Sequence, residues 1–206
     1  SSAYIEKITD AVRHAVDYVG ADADDILGVG ITVPGILDDE KQILISAPPL
    51  KAKNYDFTRL ISAIDYPVVV MNDARAEAYA DHWFNGKPED EKIYIMLGEG
   101  VGGAYISASA IRNGVHNRGG EFGHMVIHPG GKQCLCGKKG CFEAYVSEKV
   151  LSSELDMTLD NFFELAAQGN KNNSNVLDEY MDNLALGINN IYTMMDCDIV
   201  LGGTVA

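Results

Sequence analysis

Three of the four cysteines, Cys134, Cys136 and Cys141, fall within eight positions, and Gly123-His124 precedes the first with nine residues between. Three thiolates and one imidazole make the donor set of a four-coordinate structural zinc site, and such a site dictates how the chain around it must turn. Gly137 and Gly140 let the backbone fold tightly enough to aim Cys136 and Cys141 at one ion. With His124, Cys134, Cys136 and Cys141 filling all four positions, none is left for an activated water, so the zinc is expected to be structural. The alternative is three reduced cysteines in a loop. Disulfides are disfavoured, because the start, Ser1-Ser2-Ala3-Tyr4-Ile5-Glu6-Lys7, has no basic region followed by an apolar run. Cys197 stands alone and reads as a small core residue.

Charge limits the partners. The 206 residues carry 16 Lys and Arg against 30 Asp and Glu, a net charge of -14, and residues 151–206 hold nine acids and one base, Lys171. Such a chain repels a phosphate backbone, so DNA contact is expected only through a segment outside it. No stretch approaches the roughly 20 apolar residues of a membrane helix, and a cytoplasmic protein with no membrane partner is expected.

Hydrophobic periodicity supplies the elements. Ile5, Ile8, Val12, Ala15, Val16 and Val19 are spaced as one face of a helix over 3–19. Residues 26–33 and 67–71 read as buried strands, the first closed by Pro34-Gly35, and 57–64 and 74–84 as helices. The charged stretch 86–92 is expected to connect two lobes, 1–86 and 87–206. Beyond it, 93–97 and 104–107 read as strands, 159–168 and 174–195 as helices, and 199–201 as a strand running into Gly202-Gly203. Strands alternating with helices predict an α/β protein. A strand ending in Gly-Gly needs something after it, so the sequence is expected to be a fragment, truncated at its C-terminus.

Three groups of residues offer chemistry. Glu121 precedes His124 by three residues and Glu143 follows Cys141 by two. A metal on one ring nitrogen of His124 leaves the other free to bond. Two carboxylates and an imidazole held rigidly suit the vicinal hydroxyls of a sugar, unless the two glutamates are surface charges or helix caps. Asn72-Asp73 follows a strand and opens a helix, where ligands bind in open α/β sheets; Asp73 reads equally as a base for an attacking hydroxyl or as a helix cap. Gly98-Glu99-Gly100-Val101-Gly102-Gly103 reads as a β-hairpin turn whose N–H groups suit a phosphate, although Glu99 would repel one.

Together, Gly119-Gly120-Glu121-Phe122-Gly123-His124, the Cys-x-Cys-Gly-x-x-Gly-Cys-x-Glu stretch 134–143, Asn72-Asp73 and Ile199-Val200-Leu201-Gly202-Gly203 resemble the ROK family of repressors and sugar kinases. The resemblance implies a two-lobed, actin-like (ribonuclease-H-like) ATPase fold with a zinc loop and a sugar in the cleft. It implies Asn72, Asp73, Glu121, His124 and Glu143 as sugar contacts, His124, Cys134, Cys136 and Cys141 as zinc ligands, and Asp73 as the catalytic base in kinase members. Gly98, Gly100, Gly102, Gly103, Gly202 and Gly203 would face ATP and Mg²⁺, if nucleotide binds.

Several residues depart from kinase members. The chain has no Asp-x-Gly-Gly-Thr phosphate loop, Glu99 replaces a small hydroxyl residue, Arg75 stands at a common Asn position, and Thr204 replaces a third glycine. The chain therefore reads as the sugar-binding part of a ROK-type (NagC/XylR-type) transcriptional regulator whose helix-turn-helix lies upstream, and the resemblance implies a homodimer. The alternative is an ATP-dependent sugar kinase acting on a hexose or N-acetylhexosamine.

Overall fold

The computed structural model describes residues 2–152 and 157–206. The chain divides into two compact units, one ending at Asp73 and one running Ala74–Ala206.

The first unit opens with helix α1 (Ser2–Val19), whose Ile5, Ile8 and Val12 pack against a core of Val33, Leu37, Leu44, Phe57, Leu60 and Val70. Ala15 and Val19, expected on that buried face, are exposed. Strand β1 (Val29–Val33) pairs in parallel with β5 (Val68–Asn72), placing Val33 opposite Asn72. Between them lie an antiparallel sheet of β2 (Ile36–Asp38), β3 (Ile43–Ala47) and β4 (Ala52–Asp56), and a short helix α2 (Thr58–Ile61). The expectation of two fully buried strands needs correcting: Val70 is buried, but Val69 is 57% exposed and Leu27 94%. Period-two alternation puts one face of β1 and β5 on the core and leaves the other uncovered among the described residues.

Helix α3 (Asp73–Asn85) begins with the last residue of the first unit. The second unit is built on a four-stranded sheet ordered β8-β7-β6-β9, formed by β6 (Glu91–Leu97), β7 (Val101–Ser107), β8 (Ala110–Ile111) and β9 (Asp198–Gly202). Strands β6 and β7 form the expected antiparallel hairpin, and β9 pairs with β6 in parallel. Residues 86–90 link α3 to β6. Helices α4 (Glu143–Val146), α5 (Glu148–Ser152), α6 (Leu159–Ala167) and α7 (Lys171–Met195) complete the unit. Asn170 caps α7 by accepting the amides of Asn172 and Asn173, and Thr158 caps α6 by accepting that of Asn161.

Alternation along β6 decides what lies on each face of this sheet. Ile93, Ile95 and Leu97 join Phe142, Val146, Leu151, Phe162, Tyr180, Leu184 and Ile191 in the main core. Lys92 and Tyr94 turn toward α3, where Tyr94 packs with Ala78, its hydroxyl donates to Glu77 at 3.2 Å, and Lys92 Nζ meets Asp81 Oδ2 at 2.6 Å. Burial tends to raise Asp81, but hydrogen bonds from Lys92 and Asn85 and the Lys92 charge outweigh it, holding the carboxyl below its ordinary value of 3.8. The unfolded chain therefore takes up the proton first on acidification. The stabilisation from this pair is fully present above the unfolded value and is lost as pH falls through the lower folded one. Asp81→Asn, which leaves the buried Lys92 ammonium without its counter-charge, is expected to cost about 2 kcal/mol at pH 7. Urea unfolding of both proteins should show that difference shrinking below about pH 4; a difference independent of pH would refute the pairing.

Candidate metal centre and polar cluster

The loop that carries Glu121 lies directly on the backbone of β7. Gly120, at φ +88°, sits against the Gly103 carbonyl, and Gly123 against that of Val101, with no room for a Cβ at either. That approach places Glu121 just ahead of a single turn, Phe122–His124, closed by the His124 amide donating to the Glu121 carbonyl at 3.1 Å. The cysteines come from a knuckle in which the Ile127 and His128 amides donate to the Gly140 carbonyl, and that of Cys134 to the Lys138 carbonyl. Isolated bridges Val126–Cys141 and Gln133–Lys139 complete its ladder.

This folding brings the four predicted ligands together. One donor atom from each of His124, Cys134, Cys136 and Cys141 lies within 4.8 Å of all the others. The Cys136 and Cys141 sulfurs are 3.6 Å apart, and Nδ1 of His124 is 3.7 Å from Sγ of Cys134. A tetrahedron with Zn–S bonds of ~2.3 Å has S···S edges of ~3.8 Å, so the pairs at 3.6 and 3.7 Å already have the spacing such an ion requires, and a pair at the 4.8 Å limit would close by about 1 Å. Burial pushes the Cys134 and Cys141 thiols up. Burial acts the same way on Cys136, but the Lys138 amide and the neighbouring thiols outweigh it and the net direction is down. A divalent cation would supply the charge that three thiolates require.

The imidazole is presented with a defined orientation. With Nδ1 toward the sulfurs, Nε2 points the other way, 3.8 Å from Oε2 of Glu121. Lys138 Nζ donates to the His124 carbonyl at 2.8 Å and braces the ligand from behind. Glu143, the first residue of α4, completes the cluster: Oε2 accepts the Val101 amide at 3.1 Å, and Oε1 lies 3.6 Å from Sγ of Cys134. Burial raises Glu121 above the usual carboxylate value, the charges of His124, Arg75 and Arg118 oppose that, and Glu143 adds to it. Glu121, His124 and Glu143 thus bring two carboxylates and one imidazole together, with Glu143 held by the Val101 amide and His124 Nε2 3.8 Å from Glu121.

The other predicted residues have their own settings. In the first unit, Asn72 ends β5 and donates to the Gly35 carbonyl at 3.0 Å and to Oδ1 of Asp73 at 2.9 Å; Asp73 opens α3. Gly98 and Gly100 form the β6–β7 turn, where the Gly98 amide donates to the Gly100 carbonyl at 3.0 Å. Glu99 at its tip is 85% exposed, 3.9 Å from Lys149. Gly102 lies against Ala74 and Gly103 against the Phe122 ring, while Gly202 and Gly203 lie against Tyr94 and Leu97. Each of these four glycines thus has a packing reason of its own. Thr204 Oγ1 donates to Glu148 Oε2 at 2.7 Å, and the Glu148 amide to the Gly98 carbonyl at 2.7 Å, tying both glycine segments to α5.

One bracing pair escaped sequence reasoning. His128 Nε2 and Asn183 Oδ1 are 2.6 Å apart, and the His128 ring meets Tyr145 edge-on. Asn183, a polar residue on the buried face of α7, was the available signal. No helix among the described residues is long and apolar enough to cross a membrane.

Known proteins resemble this chain in sequence and fold. The model of the ROK family matches residues 1–206. The xylose repressor of Bacillus subtilis (strain 168) is 29% identical over 201 residues, covering 94% of this chain and 52% of that protein. The glucokinase of Streptomyces coelicolor is 36% identical over 148 residues, 71% of this chain and 46% of that protein. Among solved structures, a ROK family glucokinase from Streptomyces griseus in complex with glucose and AMPPNP superposes with a TM-score of 0.81 at 27% identity, covering 97% of this chain and 72% of that one. The chain spans about half the length of the curated relatives it matches, and its fold is the actin-like ATPase type of the ROK sugar kinases.

Proposed function

The chain belongs to the ROK family, and on that premise we propose that it is the carbohydrate-binding effector region of a ROK-type transcriptional regulator. The observation that carries the sugar-binding reading is Glu143, a carboxylate held between the Val101 amide and the Cys134 sulfur, in a cluster with Glu121 and His124. Two fixed acceptors and a fixed ring N–H match the alternating donors and acceptors of vicinal hydroxyls. Asn72 and Asp73 supply the remaining sugar contacts in this reading, and the lobe limits 1–86 and 87–206 belong to it. Zinc on His124, Cys134, Cys136 and Cys141 would hold the cluster rigid and keep the Nε2 proton in place. Sugar binding would shift the population between conformations read by DNA-contacting parts of the protein outside these residues. A cytoplasmic homodimer completes the proposal.

The tip of the glycine hairpin favours regulator over enzyme. Glu99 places a carboxylate where a nucleotide phosphate would approach, and Glu148 occupies Thr204, its neighbour across the two glycine segments. The second reading, an ATP-dependent sugar kinase with Asp73 as base and Mg²⁺ at the phosphates, is favoured by the similarity to a glucokinase.

One pair of assays separates them. Titration calorimetry of the zinc-loaded full-length protein against D-xylose and D-glucose should give saturable heat with one of them. A coupled ADP-release assay with the same sugars should give no sugar-dependent turnover. Turnover that vanishes in Asp73→Asn would establish the kinase, and no binding of either sugar would remove the proposal.

A further inference from the structure

We propose that Arg75 is a positioning residue for the saccharide cluster: its buried guanidinium holds the carbonyl of Asn117 and so sets the place of the loop that carries Glu121. The inference names a residue outside the proposed sugar contacts, and its affinity arm rests on the sugar-binding reading.

Arg75 lies in the first turn of α3 and is only 3% exposed. A guanidinium so buried is costly unless hydrogen-bond acceptors and negative charge replace its water. Both are at hand. Nη2 donates to the Asn117 carbonyl at 2.8 Å, across 42 residues of sequence, and the charges of Arg75 and Glu121 act on one another.

The loop that receives this bond folds by close, local contacts. The Gly119 amide donates to the Asn113 carbonyl at 2.7 Å, and the Asn117 amide to that of Gly114 at 3.3 Å. Asn117 itself has a left-handed backbone, at φ +56°. Val115 at its tip is 94% exposed. Gly120 and Gly123 seat the far end of this loop on β7, and the bonds above shape it only locally. The Arg75 bond to Asn117, four residues ahead of Glu121, ties its near side to α3. A planar fork on a short helical turn allows little play, which suits a group that must hold a carboxylate to fractions of an ångström.

The test uses zinc-loaded full-length protein without sugar, followed by D-xylose and D-glucose. Arg75→Met keeps the length and apolar stem and removes the donors. It should accelerate hydrogen exchange on the order of tenfold across 113–121, with zinc content and exchange in the main core unchanged. It should also weaken binding of whichever sugar the wild type binds on the order of tenfold. Arg75→Lys, which restores one donor, should recover part of both effects. Asn117→Val approaches the bond from its other end, since a β-branched residue resists a left-handed backbone and displaces the carbonyl. Its effect should not add to that of Arg75→Met in the double variant. Should Arg75→Met fail to fold, Asn117→Val carries the same measurements alone. Exchange that is unchanged across 113–121, or faster everywhere alike, overturns the inference. A wild type that binds neither sugar but shows the local exchange change sinks only the sugar reading.

Discussion

Replacing Cys136 by serine is expected to abolish metal binding and to lower stability by several kcal/mol. Plasma emission spectrometry on reduced wild-type protein should give about one zinc per chain, against none for the variant. Isolated zinc-finger peptides draw on the order of 10 kcal/mol from their ion. Here a core of Ile93, Phe142, Leu151, Phe162 and Leu184 remains when the knuckle opens, so a loss on the order of 5 kcal/mol is expected. In a protein of this size each kcal/mol is worth roughly 2–4 °C, which sets the fall in Tm at roughly 10–20 °C. Removal of metal from the wild type by a strong chelator should reproduce that fall. Cys197→Ser is the control: this thiol packs at the edge of the main core, away from the ligand set, and the variant should keep its metal. Equal Tm values with and without metal would refute a structural zinc.

The second large effect is expected at Glu143. Glu143→Gln keeps the shape and one carbonyl oxygen to accept the Val101 amide, but removes the charge that strengthens hydrogen bonds from sugar hydroxyls. Hydrogen bonds to charged groups contribute about 1.5–3 kcal/mol each. Loss of that charge is therefore expected to weaken sugar binding between about tenfold and a hundredfold in calorimetry, with zinc content and Tm near those of the wild type. Wild-type affinity in this variant would take Glu143 out of the sugar contacts. The outcome is separable from that of Cys136→Ser, in which metal, stability and sugar binding are expected to fall together.

The two experiments differ because the site has two levels of organisation, and these were not equally visible in the sequence. His124, Cys134, Cys136 and Cys141 announce themselves by residue type and spacing, since three thiols and an imidazole in eighteen positions have few other uses. Elements with strong local periodicity were legible too: α1, α3, α7 and β6 lie within a few residues of where apolar spacing puts them. The sheet of β2, β3 and β4 was not. β4 carries Lys53, Asn54 and Asp56, β2 ends in Asp38, and the apolar run Ile43-Leu44-Ile45 of β3 is short and followed by Pro48-Pro49, so no clean alternation marks the sheet.

From the sequence alone follow the family, the α/β class, the donor set for one metal and the residue types of a polar cluster, because each is encoded by neighbours a few positions apart. Tertiary structure alone decided that Nδ1 of His124 faces the sulfurs, that Glu143 is held by the amide of Val101, and that Arg75 reaches the carbonyl of Asn117. The last two bonds each join residues 42 positions apart. No local pattern records such a pairing, because it is made only when β6, β7 and the helices around them bury their apolar faces and carry the polar groups along.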